Sequence, residues 1–310
     1  MKIVLTGGAG FIGSHIADML VSEGHKLTVI DNLSSGKIDN IPPLATFYQC
    51  DILDPLLGDI VEQEAPEVII HHAAQISVRR SVEDPLLDME INIRGTLHLL
   101  QHAVRCTVKK FIFASTGGAI YGEQDYFPAT EDHPQRPVSP YGIGKLAAEK
   151  YLFYYKKTYG LSYVALRYSN VYGPRQDPYG EAGVVAIFTE KLLNSGTPVI
   201  NGSGAQTRDF VFVTDVARAN LLALNSDFSG ELNISTGKET SVNALFYALR
   251  TITRSTASEK HGPPIPGEQM RSVISYAKAH QVLGWHPRTS LEQGLQETVH
   301  YFKEKRSVHC

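Results

Sequence analysis

The sequence predicts an α/β fold, a doubly wound parallel sheet with a smaller domain interleaved into it, and three observations carry that prediction. Short β-rich runs alternate with helical stretches through the first half, those runs are apolar on both faces, and a glycine-rich turn separates the first run from the first helix. Strands covered by helices above and below must be apolar throughout, as in Ile3-Val4-Leu5 and Val68-Ile69-Ile70. The 310 residues suffice for two domains or one large one, and 43% hydrophobic against 20% charged residues excludes disorder as the main state.

The expected strands are 2–6, 26–31, 46–50, 68–72, 110–115 and 162–167, joined by segments long enough for right-handed crossovers. Two helices stand out: 92–105, with Leu97, Leu99 and Leu100, and 141–159, with Leu146, Tyr151, Leu152 and Tyr155. Each carries more apolar surface than one sheet face needs, so a homodimer sharing a helical bundle is expected. After Arg167 the rhythm becomes irregular, with a strand-like 210–213, a helix near 215–224 and a loop over 261–271. The expected division is a dinucleotide-binding Rossmann domain over 1–167, with a later contribution near 208–228, and a mainly substrate-binding domain over 168–310.

Lys and Arg total 29 and Asp and Glu total 32, so no global positive field exists to hold nucleic acid or an anionic membrane. No apolar run approaches a membrane span, and the first residues break before any signal-like apolar stretch, so a cytoplasmic protein is expected. Cys50, Cys106 and Cys310 lack paired spacing and read as reduced thiols, Cys50 in the core. Twelve histidines show no metal-ligand spacing, so no metal is expected.

The turn Gly7-Gly8-Ala9-Gly10-Phe11-Ile12-Gly13 opens an apolar helix through Ile16 and Leu20. Glycines there allow a sharp turn, a close approach of backbone N–H groups to a pyrophosphate and tight helix–strand packing. Asp31 ends the second strand, 18 residues beyond Gly13, where a carboxylate accepts hydrogen bonds from a ribose and repels a 2′-phosphate. That combination points to NAD rather than NADP, although Asp31 could also cap the turn that follows it. Asp51, after the third strand, is placed to meet the adenine amine.

Tyr141 and Lys145 fall four apart at the start of a helix, on one face. An ammonium beside a phenol lowers the phenol's pKa and makes it a usable base. Ser115 and Thr116 end the fifth strand, at the sheet edge where open α/β folds bind ligands, or else cap the next turn.

Taken with His71-His72-Ala73-Ala74-Gln75, these motifs resemble the extended short-chain dehydrogenase/reductase family. Within it, Asp31-Asn32-Leu33-Ser34-Ser35-Gly36, the segment from Leu166 to Arg175 and residues 202–209 are similar to UDP-glucose 4-epimerases, over nearly the whole chain. The resemblance implies an isomerase without net redox change. Tyr141 takes the proton of the sugar 4-hydroxyl directly or through Thr116, hydride leaves C4 for NAD, and the 4-keto sugar turns and is reduced on its other face. Lys145 holds the nicotinamide ribose.

The resemblance further implies that NAD is held by Gly7, Gly10, Phe11, Ile12, Gly13, Asp31, Asn32, Ser34, Gly36, Asp51, Ile52, Ala73, Ala74, Gln75, Asn92, Ser115 and Tyr168, beside Tyr141 and Lys145. A UDP-sugar would meet Thr116, Tyr141, Asn170, the backbone at Val184 and Val185, Arg208, Glu268, Arg271 and Ser272. Arg208 suits a diphosphate because a guanidinium offers paired donors and keeps its charge. Its alternative is an ion pair with Asp209 or Asp215.

Relatives usually carry Arg two residues before the Gly-acid pair, where this chain has Ile265, so Arg271 is the expected substitute. Ser272 replaces a bulky Tyr of some relatives and leaves room for an N-acetyl group. Gly117 and Gly118 stand where dehydrating or decarboxylating relatives carry an acid, which favours simple epimerisation. The alternatives are a UDP-uronic acid 4-epimerase or another sugar-nucleotide oxidoreductase of this fold, and a non-catalytic NAD-binding regulator.

Overall fold

The computed structural model describes residues 1–179, 183–265 and 269–307. Its main sheet contains the six expected strands, β1 (Lys2–Thr6), β2 (Lys26–Asp31), β3 (Thr46–Gln49), β4 (Val68–His71), β5 (Lys110–Thr116) and β6 (Ser162–Tyr168). A later strand, Gly230–Ile234, pairs parallel to β6, so the order is β3-β2-β1-β4-β5-β6 followed by this seventh strand. The chain leaves β1 toward β2 on one side and reaches β4 on the other. That reversal opens a crevice beyond the carboxyl ends of β1 and β4, where doubly wound sheets bind ligands.

Both faces of the sheet are covered. On one, α1 (Phe11–Ser22) packs with the later helix Val213–Leu224 through Ile16, Leu20, Val216 and Ala223. On the other lie α2 (Leu56–Glu64), α3 (Val78–Glu83), α4 (Pro85–Met89), a π-helical segment (Glu90–Gly95), α5 (Thr96–Arg105) and α6 (Pro140–Tyr159). Val61, Leu99, Leu100, Ala148 and Leu152 fill that interface. On 92–105 Leu99 and Leu100 are wholly buried in the chain's own core, and Leu97 is half-buried against it. On α6 the surplus is real, because Ile143, Tyr151 and Tyr154 are exposed while Leu152 and Tyr155 are buried.

The strand expected at 210–213 is shorter, Phe210–Phe212, and pairs with β7 (Asn170–Tyr172). The segment 261–271, expected as a loop, contributes two short strands. Lys260–Gly262 pairs with β8 (Val199–Asn201), and Arg271–Ser272 pairs with β9 (Thr207–Arg208). A separate core forms where α7 (Val184–Leu193) meets the helices Val242–Thr253 and Leu291–Ser307 through Phe188, Phe246 and Leu295. Among the described residues no helix is long and apolar enough to cross a membrane.

Candidate active site

A cleft of about 650 Å³ lies over the carboxyl ends of β1, β2 and β4. Gly7 and Gly13 shape its floor. A Cβ on Gly7, at φ +72°, would stand 2.5 Å from the Ala73 nitrogen, and one on Gly13 would stand 2.1 Å from the Gly7 carbonyl oxygen. Both positions therefore need glycine for space, and the turn, helix and β4 loop close tightly together. Helix α1 begins after Gly10 without a side-chain cap, and Phe11, Ile12 and Gly13 line the cleft, so unpaired N–H groups and the helix dipole are available to an anion.

Asp31 caps the turn that follows it and also faces the cleft. One carboxylate oxygen accepts from the Ala9 N–H at 3.0 Å, the other accepts from the Leu33 N–H at 2.8 Å, and the residue lines the cleft. Asn32, Ser34, Asp51, Ile52, Ala73, Ala74, Gln75, Ser115 and Tyr168 line it as well. Asn32 donates to Asp51 at 2.6 Å, which joins the loops after β2 and β3.

Two expected contacts fall outside the wall. Gly36 does not line the cleft; a Cβ there would press on Ala9 and on Asp31, so it serves the closing of the loop. Asn92 is buried in the π-helical segment, accepts from the Gln75 N–H at 3.0 Å and donates to the Gln75 carbonyl at 2.9 Å. It holds the wall from behind. Lys37, Arg80 and Arg175 line the cleft without having been expected there. The uncapped helix, the cradle that a Cβ would fill and the carboxylate on the cleft wall at the end of β2 fit NAD.

Tyr141 and Lys145 reach the same cleft from the first turns of α6, which Ser139 caps through the Gly142 N–H. Lys145 is almost fully buried. Its Nζ donates to the Ala114 carbonyl at 3.0 Å and sits 4.8 Å from the Phe113 ring centroid and 5.9 Å from that of Tyr141. Burial pulls its pKa down to about 8 against the opposing pull of Asp88 and Glu149. The Tyr141 phenol shares a hydrogen bond with Thr116.

The expected depression of the Tyr141 pKa by Lys145 is not produced by the chain alone. Burial, and next the Asp88 carboxylate, hold the phenol well above its ordinary range, and the Thr116 hydrogen bond opposes them only in part. The hydroxyl is therefore kept protonated until another positive charge enters the cleft. Ser115 lines the wall but donates its own proton to Glu149 Oε1 at 2.6 Å. Glu149 is fully engaged with Arg167, 2.6 Å from Nη2. Sequence reasoning overlooked this Ser115–Glu149–Arg167 cluster and Asp88, although Glu149 lies one helical turn beyond Lys145 and Asp88 one turn before Asn92.

Of the expected sugar-nucleotide residues, Tyr141 lines the cleft with Thr116 bonded to it, and Asn170, Arg208 and Ser272 lie on short strands outside the main sheet. Ser272 is the register partner of Arg208, and Asn170 that of Phe210, two residues further on. Val185 is buried in the smaller core, at the start of α7. Asp209 and Asp215 spend their carboxylates elsewhere, Asp209 on Thr236 and Gly237, Asp215 on Arg288 and Thr289. The Arg271 guanidinium is paired bidentately with Glu239 at 2.9 and 2.7 Å and stacks 3.7 Å over Phe127. Glu268 lies outside the described residues.

Comparison with known proteins agrees with this geometry. The NAD dependent epimerase/dehydratase family matches residues 3–235. A UDP-glucose 4-epimerase of Thermotoga maritima, solved with UDP-glucose, is 49% identical with a TM-score of 0.97 and covers 99% of this chain and 100% of its own. A UDP-glucose 4-epimerase of Thermus thermophilus, solved with NAD, is 43% identical with a TM-score of 0.92, covering 98% and 99%. A UDP-N-acetylglucosamine 4-epimerase of Methanobrevibacter ruminantium, in complex with UDP-N-acetylmuramic acid, is 38% identical with a TM-score of 0.93, covering 98% of each chain. The glycine cradle, the carboxylate after β2 and the Tyr–Lys pair at the mouth of α6 thus occur in a chain that belongs to the NAD dependent epimerase/dehydratase family.

Proposed function

We propose that this protein is a cytoplasmic NAD-dependent epimerase that inverts C4 of a UDP-hexose, interconverting UDP-glucose and UDP-galactose and accepting UDP-N-acetylhexosamines as well. The observation that carries the reading is the convergence of Tyr141, Lys145, Ser115 and Ala114 on the wall of one cleft, with Thr116 bonded to the Tyr141 hydroxyl. Bound there, NAD supplies a reversible hydride acceptor and a positively charged ring. Tyr141 accepts the proton of the 4-hydroxyl and returns it after inversion, with Thr116 as its hydrogen-bond partner. Lys145, fixed by the Ala114 carbonyl, stabilises the phenolate. Asn170, Arg208 and Ser272 would meet the sugar nucleotide.

The absence of an acid at both Gly117 and Gly118 favours epimerisation over elimination, although a Cβ at Gly118 would have room. A Cβ at Gly117 would stand 2.2 Å from the Ile274 Cδ1, so an acid there would require Ile274 to give way. Incubation of the purified protein with UDP-glucose, UDP-galactose, their N-acetylated forms and UDP-glucuronate, followed by separation of products, tests the reading. C4 epimers should form with no net accumulation of reduced cofactor, and a dehydrated or decarboxylated product would refute it.

Two further expectations arise from the same reading. Ser272→Tyr should lower kcat/KM for the N-acetylated substrates by about ten- to a hundredfold and spare the non-acetylated pair, since filling a pocket rejects the larger substituent. Equal losses for both substrate classes would place the sugar C2 group elsewhere. Ile143, Tyr151 and Tyr154 line one exposed face of α6, and Leu86 and Met89 are exposed on the α4 that packs against it. We assign this apolar face to a homodimer interface; sedimentation velocity should return twice the chain mass of 34.1 kDa at micromolar protein.

A further inference from the structure

Asp88 has no part in the proton transfers above, yet it lies against the residues that perform them. It is 1% exposed. One oxygen accepts from Gln75 Nε2 and from Asn92 Nδ2, both at 2.9 Å. The other faces α6 between Tyr141 and Lys145, because a Cβ on Gly144 would be 3.1 Å from Oδ2. Gly144 thus permits the close approach, and the carboxylate spans from the cleft wall at Gln75 to the catalytic helix. The groups that face Lys145 are Asp88 from α4, Glu149 and Tyr141 from α6, and His71 and His72 at the end of β4. His71 bonds Thr6 and Thr96, His72 bonds Tyr168, and burial holds both rings neutral. Glu149 is ion-paired with Arg167 and supports the Lys145 charge less than Asp88 does.

We propose that Asp88 is a positioning residue for the Tyr141–Lys145 pair: it clamps the Gln75 wall to the catalytic helix and provides the counter-charge that keeps the buried Lys145 an ammonium. The carboxylate opposes ionisation of Tyr141 while favouring that of Lys145, so its removal pushes both titrations in the same, acidic direction. A purely structural role makes no such demand. This inference rests on the assignment of Tyr141 and Lys145 as the proton-transfer pair.

Asp88→Asn keeps the shape and an acceptor for Gln75 and Asn92 but removes the charge. The side-chain nitrogen resonance of Lys145, assigned by its loss in Lys145→Arg, should titrate near about 8 in the parent protein. It should titrate lower by about half a unit or more in Asp88→Asn. Both limbs of the kcat–pH profile for C4 inversion should move acidwards with it. Asn92→Ala, which weakens the clamp and leaves the charge, should lower the maximum without moving either limb. An unmoved Lys145 titration in Asp88→Asn overturns the assignment of counter-charge whatever happens to turnover. A shifted titration in a protein that inverts no sugar nucleotide upholds it and refutes the functional reading instead. If Asp88→Asn does not fold, Asp88→Glu decides, since it retains the charge: limbs in the parental position support the proposal and displaced limbs overturn it.

Discussion

Tyr141→Phe should turn over UDP-galactose about a thousandfold more slowly than the parent and should retain its NAD, within the range that a positioned acid–base group contributes. Phenylalanine conserves the ring that packs at the start of α6, so the cleft keeps its shape and only the hydroxyl is lost. The structure explains why nothing nearby can replace it. Thr116 is a hydroxyl with no base of its own, Ser115 already gives its proton to Glu149, and His72 remains neutral, its pKa pushed down to about 3 chiefly by burial. Steady-state interconversion assays give the rate, and release of cofactor from denatured protein gives occupancy. Turnover within tenfold of the parent would remove Tyr141 from the chemistry. Loss of cofactor together with rate would instead make its ring a binding contact.

The parts of this design that depend on local chain chemistry were legible in the sequence. Gly13, Tyr141 and Lys145 each belong to a short spacing whose physical demand is met within one turn or one helix, whereas Gly7 and Asp31 were legible from the strand–turn–helix pattern although the atoms they meet, at Ala73 and Ala9, lie on other segments. Most of the leading strands were legible because parallel strands buried on both faces read as continuous apolar runs, the half-buried edge strand β3 being the exception. The seventh, Gly230–Ile234, was not, since Glu231 and Asn233 interrupt it. Those residues are accepted into the sheet only because Tyr163 donates to Glu231 at 2.6 Å and Tyr121 donates to Asn233 at 2.7 Å, partners far away in the chain. The partner of Arg271 was hidden for the same reason. The charge and position of Arg271 near the expected loop suggested a diphosphate, and only tertiary structure brings Glu239 to it. The Tyr141 phenol was misjudged because spacing reveals the adjacent ammonium but neither the burial nor the Asp88 carboxylate that outweigh it.

Arg167→Leu should destabilise the protein by about 3–5 kcal/mol, the largest stability effect expected of a single replacement here. Arg167 and Glu149 are each 2% exposed at the side chain and joined by two hydrogen bonds, Nε to Oε1 at 2.9 Å and Nη2 to Oε2 at 2.6 Å. Nη1 also donates to the Tyr121 hydroxyl at 2.9 Å. Removing the guanidinium leaves an ionised Glu149 with only the Ser115 hydroxyl, deep between β5, β6 and α6, and the burial that the pair tolerated becomes an uncompensated charge. Replacing both residues by leucine removes that charge, so Arg167→Leu with Glu149→Leu should recover most of the loss in urea unfolding, with a coupling well beyond additivity. Its activity should not recover. The double variant frees the Ser115 hydroxyl on the cleft wall and deprives Lys145 of one of the two acids that oppose its deprotonation, so a stable fold should come with an impaired site. A single variant that loses less than about 1 kcal/mol would mean that water or a shifted proton relieves Glu149. A double variant of full activity would show that the pair serves the fold alone.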